Sequence, residues 1–300
     1  VSHVRADAPD VPGVGDVAYR HTGVVADAGA RFVFGRWLNL YAHYGQGFRA
    51  PNLQETTVLG DTGTNFETPN DGLGPERSHT LELGARWHHR WLHLSAAAFY
   101  SRIDDVITRE DVEPTACPDG GEIVDGACVV DGKQVVRRVN GGGADYQGAE
   151  LRMHSGRVAG LSVFGSFAWL LGDEVKDGIA GPARRVPPAQ GAAGLRIDND
   201  DRSLRIEALI HAAASQDRLH ADDQKDLRIC EVAGEPGLLR DPCSEAPGWW
   251  TVGLRGEWRA SEALRVHVVI DNLLDRPYRV FGSGFDAPGF DARLGLTAKW

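Results

Sequence analysis

From Phe290 to Trp300, apolar and polar or small residues alternate without a break. Phe290, Ala292, Leu294, Leu296, Ala298 and Trp300 stand against Asp291, Arg293, Gly295, Thr297 and Lys299. A period of two places successive side chains on opposite faces of an extended strand. An aliphatic face backed by a charged one suits a wall between a greasy medium and a wet one. About ten tilted residues cross a bilayer in this way.

The same pattern recurs along the chain. Val24, Ala26, Ala28, Ala30, Phe32 and Phe34 share one face, and after a tight turn at Gly35-Arg36 the alternation resumes at Leu38, Leu40, Ala42 and Tyr44. So short a connection predicts an antiparallel hairpin. Further strands read as Leu81–Trp87, Leu92 towards Ile107, Val135–His154, Leu161–Leu171, Gly191–Ile197, Leu204–Ala212, Trp250–Trp258 and Leu264–Ile270. With the terminal stretch the count is about eleven. Short turns and long polar segments alternate strictly between them. In an antiparallel barrel this sends every long loop to one side, which in outer-membrane barrels is the extracellular side, and leaves short periplasmic turns on the other. Trp87, Trp91, Trp258 and Trp300 sit beside short turns or at the terminus, where an interfacial aromatic girdle belongs. Residues 1 to 18, rich in Pro and Gly, read as the end of a loop. The polar stretch Phe48 to Glu76 reads as a long irregular loop with no core of its own, of the kind that usually carries function.

Composition narrows the alternatives. A net charge of −10 argues against a nucleic-acid partner, which needs a basic face. No run of 18 apolar residues is present, so no transmembrane helix is available, but a barrel hides its hydrophobicity in alternation. Thirty-seven glycines, eight tryptophans and a single methionine lean towards β structure. Cys117 with Cys128, and Cys230 with Cys243, form two local pairs inside long loops; even, local pairing of this kind suits two disulfides in an oxidising compartment, with two pairs of free thiols as the lesser alternative. A chain that starts at Val1 reads as a fragment or a processed product. A soluble β-sandwich also alternates, but its strands are shorter and its outer face less regularly charged.

Particular stretches then point to a family. Tyr41-Ala-His-Tyr-Gly-Gln-Gly-Phe-Arg-Ala-Pro-Asn-Leu-Gln-Glu55 resembles the barrel motif of TonB-dependent outer-membrane receptors, in which a strand ends in Gly-Phe-Arg-x-Pro. Pro75-Glu-Arg-Ser78 with Leu81-Glu-Leu-Gly84 resembles the strand after that loop. Arg185-Val-Pro-Pro188 is similar as well. Asp271-Asn-Leu-Leu-Asp-Arg-Pro-Tyr-Arg279 resembles the signature before the last strand, and Trp300 resembles the terminal aromatic that the outer-membrane assembly machinery reads. The resemblance implies an all-β transmembrane antiparallel barrel. Residues 1–300 would be its C-terminal segment, about the last 11 of 22 strands, with the plug and the N-terminal barrel half outside this chain. It implies residence in the outer membrane of a Gram-negative bacterium, among its lipids. It further implies energy from the TonB complex acting through the missing plug, and a small-molecule metal chelate or similar bulky cargo of the ferric siderophore, haem or cobalamin class.

The residues themselves suggest where such chemistry would lie. Arg31, His43, Glu82, Arg86, Glu150, Arg152, Arg205, Glu207, Arg255, Glu257, Arg293 and Lys299 form a mixed-sign wet face, suited to a plug or to solvent. The loop candidates for ligand contact are Phe48, Arg49, Phe66, Trp249, Tyr278, Phe281 and Phe285; their aromatics suit either recognition or anchoring at the outer interface. The Arg49-Ala50-Pro51 turn reads first as a loop-shaping element. Eleven histidines are scattered with no zinc spacing, so no metal site is expected and no resident cofactor. His220, Asp222, Asp223 and Asp226 read as a solvated acidic loop or a weak cation site. Ser95 near His93, and Ser166, lie in no nucleophile elbow, so no catalytic residue and no enzyme is expected; an outer-membrane hydrolase is the weaker alternative and a passive porin the stronger.

Overall fold

The computed structural model describes residues 2–300 other than 12–14, 177, 233, 234 and 236. In chain order the strands are β1 (Ser2–Val11), β2 (Gly15–Gly23), β3 (Asp27–Phe34), β4 (Leu38–Arg49), β5 (Gly60–Asp61), β6 (Phe66–Thr68), β7 (Glu76–His89), β8 (Leu92–Asp111), β9 (Glu122–Val124), β10 (Ala127–Val130), β11 (Lys133–Ser155), β12 (Leu161–Lys176), β13 (Ile179–Pro182), β14 (Gln190–Asp198), β15 (Leu204–Ala213), β16 (Trp249–Arg259), β17 (Leu264–Asp271) and β18 (Asp291–Ala298). Short helices α1 (Leu53–Thr57) and α2 (Leu227–Cys230) lie in loops. Eleven strands form one antiparallel wall in the order β18-β17-β16-β15-β14-β12-β11-β8-β7-β4-β3. β3 and β18 are the two ends of the path, so the wall is an open arc, as a partial barrel would be.

The register makes the two-sided reading concrete. Phe32, Leu40, Ala85, Ala96, Leu151, Phe167, Gly191, Ala212 and Trp250 form one apolar row across nine strands. The next row, Val33, Asn39, Arg86, Ser95, Arg152, Ser166, Ala192, His211 and Thr251, is mostly polar and points to the other face. On that face the charges pair across strands: Arg205 stands opposite Glu257 and Glu207 opposite Arg255, while Arg196 Nε donates to Glu207 at 2.6 Å and Tyr41 donates to Glu82 at 2.8 Å. Water is the wrong solvent for the apolar face: Leu294 is 71% exposed and Leu296 67%. Trp37, Trp91 and Trp258, all exposed, line the short-turn rim.

Residues 35–37, 90–91, 156–160, 199–203 and 260–263 make the short turns; 50–75, 112–132, 177–189, 214–248 and 272–290 make the long connections on the opposite rim. The wall is uneven. β8 has 20 residues and β11 has 23, about twice what a bilayer crossing needs, so they rise past the rest on the long-loop side.

Three expectations change. The stretch read as the end of a loop is, over its described residues, a β1–β2 hairpin; residues 1 and 12–14 lie outside the described residues. Pro9 hides the strand in sequence, yet it falls where the pairing register is interrupted between Ala8 and Val11, so no ladder hydrogen bond is lost. The terminal strand is shorter than its alternation, because its partner β17 begins at Leu264 opposite Ala298 and leaves Trp300 fully exposed. The segment from Phe48 to Glu76 is not coreless: it buries Thr56, Glu67 and Leu73, and β6 adds to the tall end of β11 in parallel.

Candidate ligand-recognition site on the long-loop rim

The first braced loop starts where β4 ends. Arg49 forks between two carboxylates: Nη1 donates to Glu55 at 2.9 and 3.0 Å, while Nε and Nη2 each donate to Glu76 at 2.6 Å. Pro51 stops the strand, and Asn52 then caps α1 reciprocally. Asn52 Oδ1 accepts from the Glu55 backbone at 2.9 Å and Glu55 Oε2 accepts from the Asn52 backbone at 2.8 Å. Tyr19 of the β1–β2 hairpin donates to the Pro51 carbonyl. Farther along, Glu67 is wholly buried and is held by Arg109 and by Arg138, whose Nη2 lies 3.2 Å from Oε2. A carboxylate out of water demands such partners. The polar composition of this loop is therefore an internal network rather than a solvated surface.

The second braced region joins three connections. Leu219, Ile229, Cys230, Cys243 and Ala246 form a small apolar core, against which Phe281 and Leu239 pack. Cys230 is bonded to Cys243 inside it. Arg279 reaches across from the last loop: Nε donates to Asp286 at 2.8 Å and Nη2 to Glu231 at 2.7 Å. The Gly237 backbone N–H and then Arg279 hold the Glu231 carboxyl below the usual carboxylate range. Asp226 caps α2, accepting from the Arg228 backbone and side chain at 2.9 Å, and also takes the Arg185 guanidinium. The Arg228 hydrogen bond is the chief reason that the Asp226 carboxyl sits at about 2. Asp223, almost wholly buried, accepts from the Arg185 backbone at 2.8 Å. The acidic run is thus not a cation cage: Asp223 and Asp226 are paired with arginines, the solvent-exposed Asp222 lies 3.9 Å from Arg184, and His220 Nε2 lies 2.9 Å from Glu174. Among the described residues, no group of three or more His, Cys, Asp or Glu side chains is arranged to hold a metal ion.

The seven loop candidates separate into two groups. Phe48 packs so tightly against the end of β2 that a Cβ on Gly23 would sit 2.5 Å from its ring; Arg49 spends its fork on Glu55 and Glu76, and Phe66 is tied into β6 beside Val135. Phe281 belongs to the small core. Trp249, the first residue of β16, meets Tyr278 of the last long connection, their ring centroids 4.6 Å apart and tilted by 38°. Phe285 is 69% exposed, and Arg276 lies over the Trp250 ring at 4.1 Å. On the same rim Cys117 is bonded to Cys128 of β10, in the β9–β10 hairpin. The structure therefore presents an aromatic pair and a free aromatic beside a disulfide-bonded loop, with the connection that carries Tyr278 and Phe285 held to it by the Arg279 ion pairs. Sequence reading missed Arg279, Glu231, Arg138 and Glu67, because each finds its partner far along the chain. The Asn52-x-x-Glu55 cap was the one local signal present.

A two-faced antiparallel wall with long ordered loops on one rim and short turns with tryptophans on the other defines a segment of an outer-membrane-type β-barrel. A family model described as TonB dependent receptor-like, beta-barrel, matches residues 1–273, and the chain belongs to that family. Its members are outer-membrane receptors and transporters rather than enzymes. A hemin receptor of Yersinia enterocolitica is 39% identical over 57 residues, 16% of this chain and 8% of that protein. The copper transporter OprC superposes with a TM-score of 0.69 at 18% identity, over 95% of this chain and 41% of that one. The siderophore receptor PirA from Acinetobacter baumannii gives 0.69 at 17%, over 95% and 41%. The Serratia marcescens hemophore receptor HasR, solved with its hemophore HasA and heme, gives 0.69 at 16%, over 100% and 46%. The chain thus spans less than half the length of these solved relatives, and at such identities they speak for the fold alone.

Proposed function

We propose that this chain supplies half the wall and the ligand-capturing loops of a receptor that imports a scarce, bulky metal chelate of the ferric siderophore, haem or cobalamin class. In this reading a plug and an N-terminal barrel half, outside residues 1–300, complete the barrel, and the TonB complex drives transport through the plug. Phe285 and the Trp249–Tyr278 pair make the contacts. The observation that carries the reading is the bracing of connections 214–248 and 272–290, which pack on each other through Phe281 and flank these aromatics. Disulfide Cys230–Cys243 and the Arg279–Glu231–Asp286 and Arg185–Asp226 pairs remove loop freedom before the ligand arrives, so less entropy is lost on binding. A diffusion pore has no need of such preorganisation.

The test uses the full-length receptor in outer membranes and a panel of ferric siderophores, haem and cobalamin. One ligand should bind saturably, and Trp249→Ala together with Tyr278→Ala should weaken it at least tenfold while the barrel still assembles. Uptake should cease without TonB. Uptake that is linear in concentration and indifferent to TonB would establish a passive pore instead.

A further inference from the structure

Histidines that lie apart in the chain meet on the wall. His88 of β7 stands opposite His93 of β8, and His93 stands opposite His154 of β11. All three share the polar face, at the rim of short turns, far in sequence from the recognition loops. His88 Nδ1 and His93 Nδ1 are 3.0 Å apart, with the ring planes crossing at 73°. The His93 and His154 rings lie parallel within 4°, with centroids 4.4 Å apart.

Two imidazole nitrogens at that separation share one proton or one metal ion. Two metal–nitrogen bonds of about 2.0–2.1 Å at roughly a right angle put their donor atoms about 2.9 Å apart. We propose that His88 and His93 form a two-imidazole site for a divalent late transition ion, with Cu(II) bound most tightly. His154, stacked on His93, is a positioning residue that holds the ring in plane. When the ion enters, the ring that donates from Nδ1 moves its proton to Nε2. Both rings stay neutral, both Nδ1 lone pairs face the metal, and no net proton is released. Water fills the remaining positions, since among the described residues no third ligating side chain converges there.

The surroundings set the selectivity. The next polar row holds Arg86, Ser95 and Arg152; Phe164 stands opposite His154, and the His88 backbone donates to the Trp37 carbonyl at 2.7 Å. No carboxylate lies in the histidine row. Binding therefore rests on nitrogen–metal bonds and not on charge, which favours Cu(II) over other first-row ions and gives Ca²⁺ and Mg²⁺, which take oxygen ligands, no hold. The site is independent of the capture loops and stands whether or not they bind a chelate.

The experiment is a Cu(II) titration of the purified full-length receptor in detergent, read by calorimetry and by electron paramagnetic resonance. Wild type should bind one ion with hyperfine splitting from two nitrogens, displaced by Zn²⁺ and untouched by Ca²⁺. His88→Ala and His93→Gln should each weaken binding at least tenfold and remove the two-nitrogen signal. His154→Ala should weaken it less and keep that signal. His43→Ala, on the same face outside the row, should bind as wild type does. Wild type without a two-nitrogen signal, or His93→Gln with undiminished binding, would overturn the proposal.

Discussion

The wall and the loop rim obey different physics. In the wall, each residue's role follows from its parity: Leu294 and Leu296 face one medium, while Arg293 and Thr297 face the other. The information is local and repeats every two residues. On the rim, roles are set by partners far along the chain: Glu67 by Arg109 and Arg138, Arg279 by Glu231, and Arg185 by Asp226. The wall is thus insensitive to which apolar residue occupies a site but intolerant of the wrong class. The rim tolerates composition but not the loss of a partner.

The largest expected effect breaks the wall. Leu294→Arg should block assembly, since an arginine at the bilayer midplane costs about 2–4 kcal/mol on the lipid face and the strand is only 8 residues long. Thr297→Arg, on the opposite face of the same strand, should assemble normally. Heat-resistant migration of folded barrel on gels reads both, and equal behaviour of the two variants would refute the facing assigned here.

A change of similar energy but confined to the rim is Glu67→Ala. It leaves the half-exposed Arg109 without its buried partner and Arg138 with Glu55 alone, at a cost of about 1–3 kcal/mol. Hydrogen exchange should quicken around 53–70 and at the tall end of β11, with the membrane strands unaffected. Protection lost evenly over the whole wall would mean that loop and wall are one cooperative unit.

The smallest effect is a pH dependence. Arg228 depresses the folded-state Asp226 carboxyl to about 2, below its ordinary 3.8, so the stabilisation is fully present above about pH 4 and fades as pH falls towards 2. Protease protection of loop 214–248 should therefore be flat from pH 7 to 5 and decline below 4. Asp226→Asn should remove that decline, and a variant that keeps it would assign the dependence to another group.

How much was legible in advance follows the same division. All eleven wall strands, their facing and the side of the long loops can be read from alternation, because a strand that separates two media writes its geometry at period two. The family could be read from Gly47-Phe-Arg-Ala-Pro51 and Asp271-Asn-Leu-Leu-Asp275. The β1–β2 hairpin escaped because Pro9 argues against a strand unless the bulge that shelters it is known. Four of the seven aromatic and arginine candidates in the loops turned out to make internal contacts, since exposure of a loop residue is decided by what folds over it. The pairing of Trp249 with Tyr278 and the row of His88, His93 and His154 exist only once strand order and register are set. Backbone periodicity is a property of neighbours in sequence, so the chain alone specifies the wall. Convergence of side chains is a property of neighbours in space, so the sites on that wall belong to the tertiary structure.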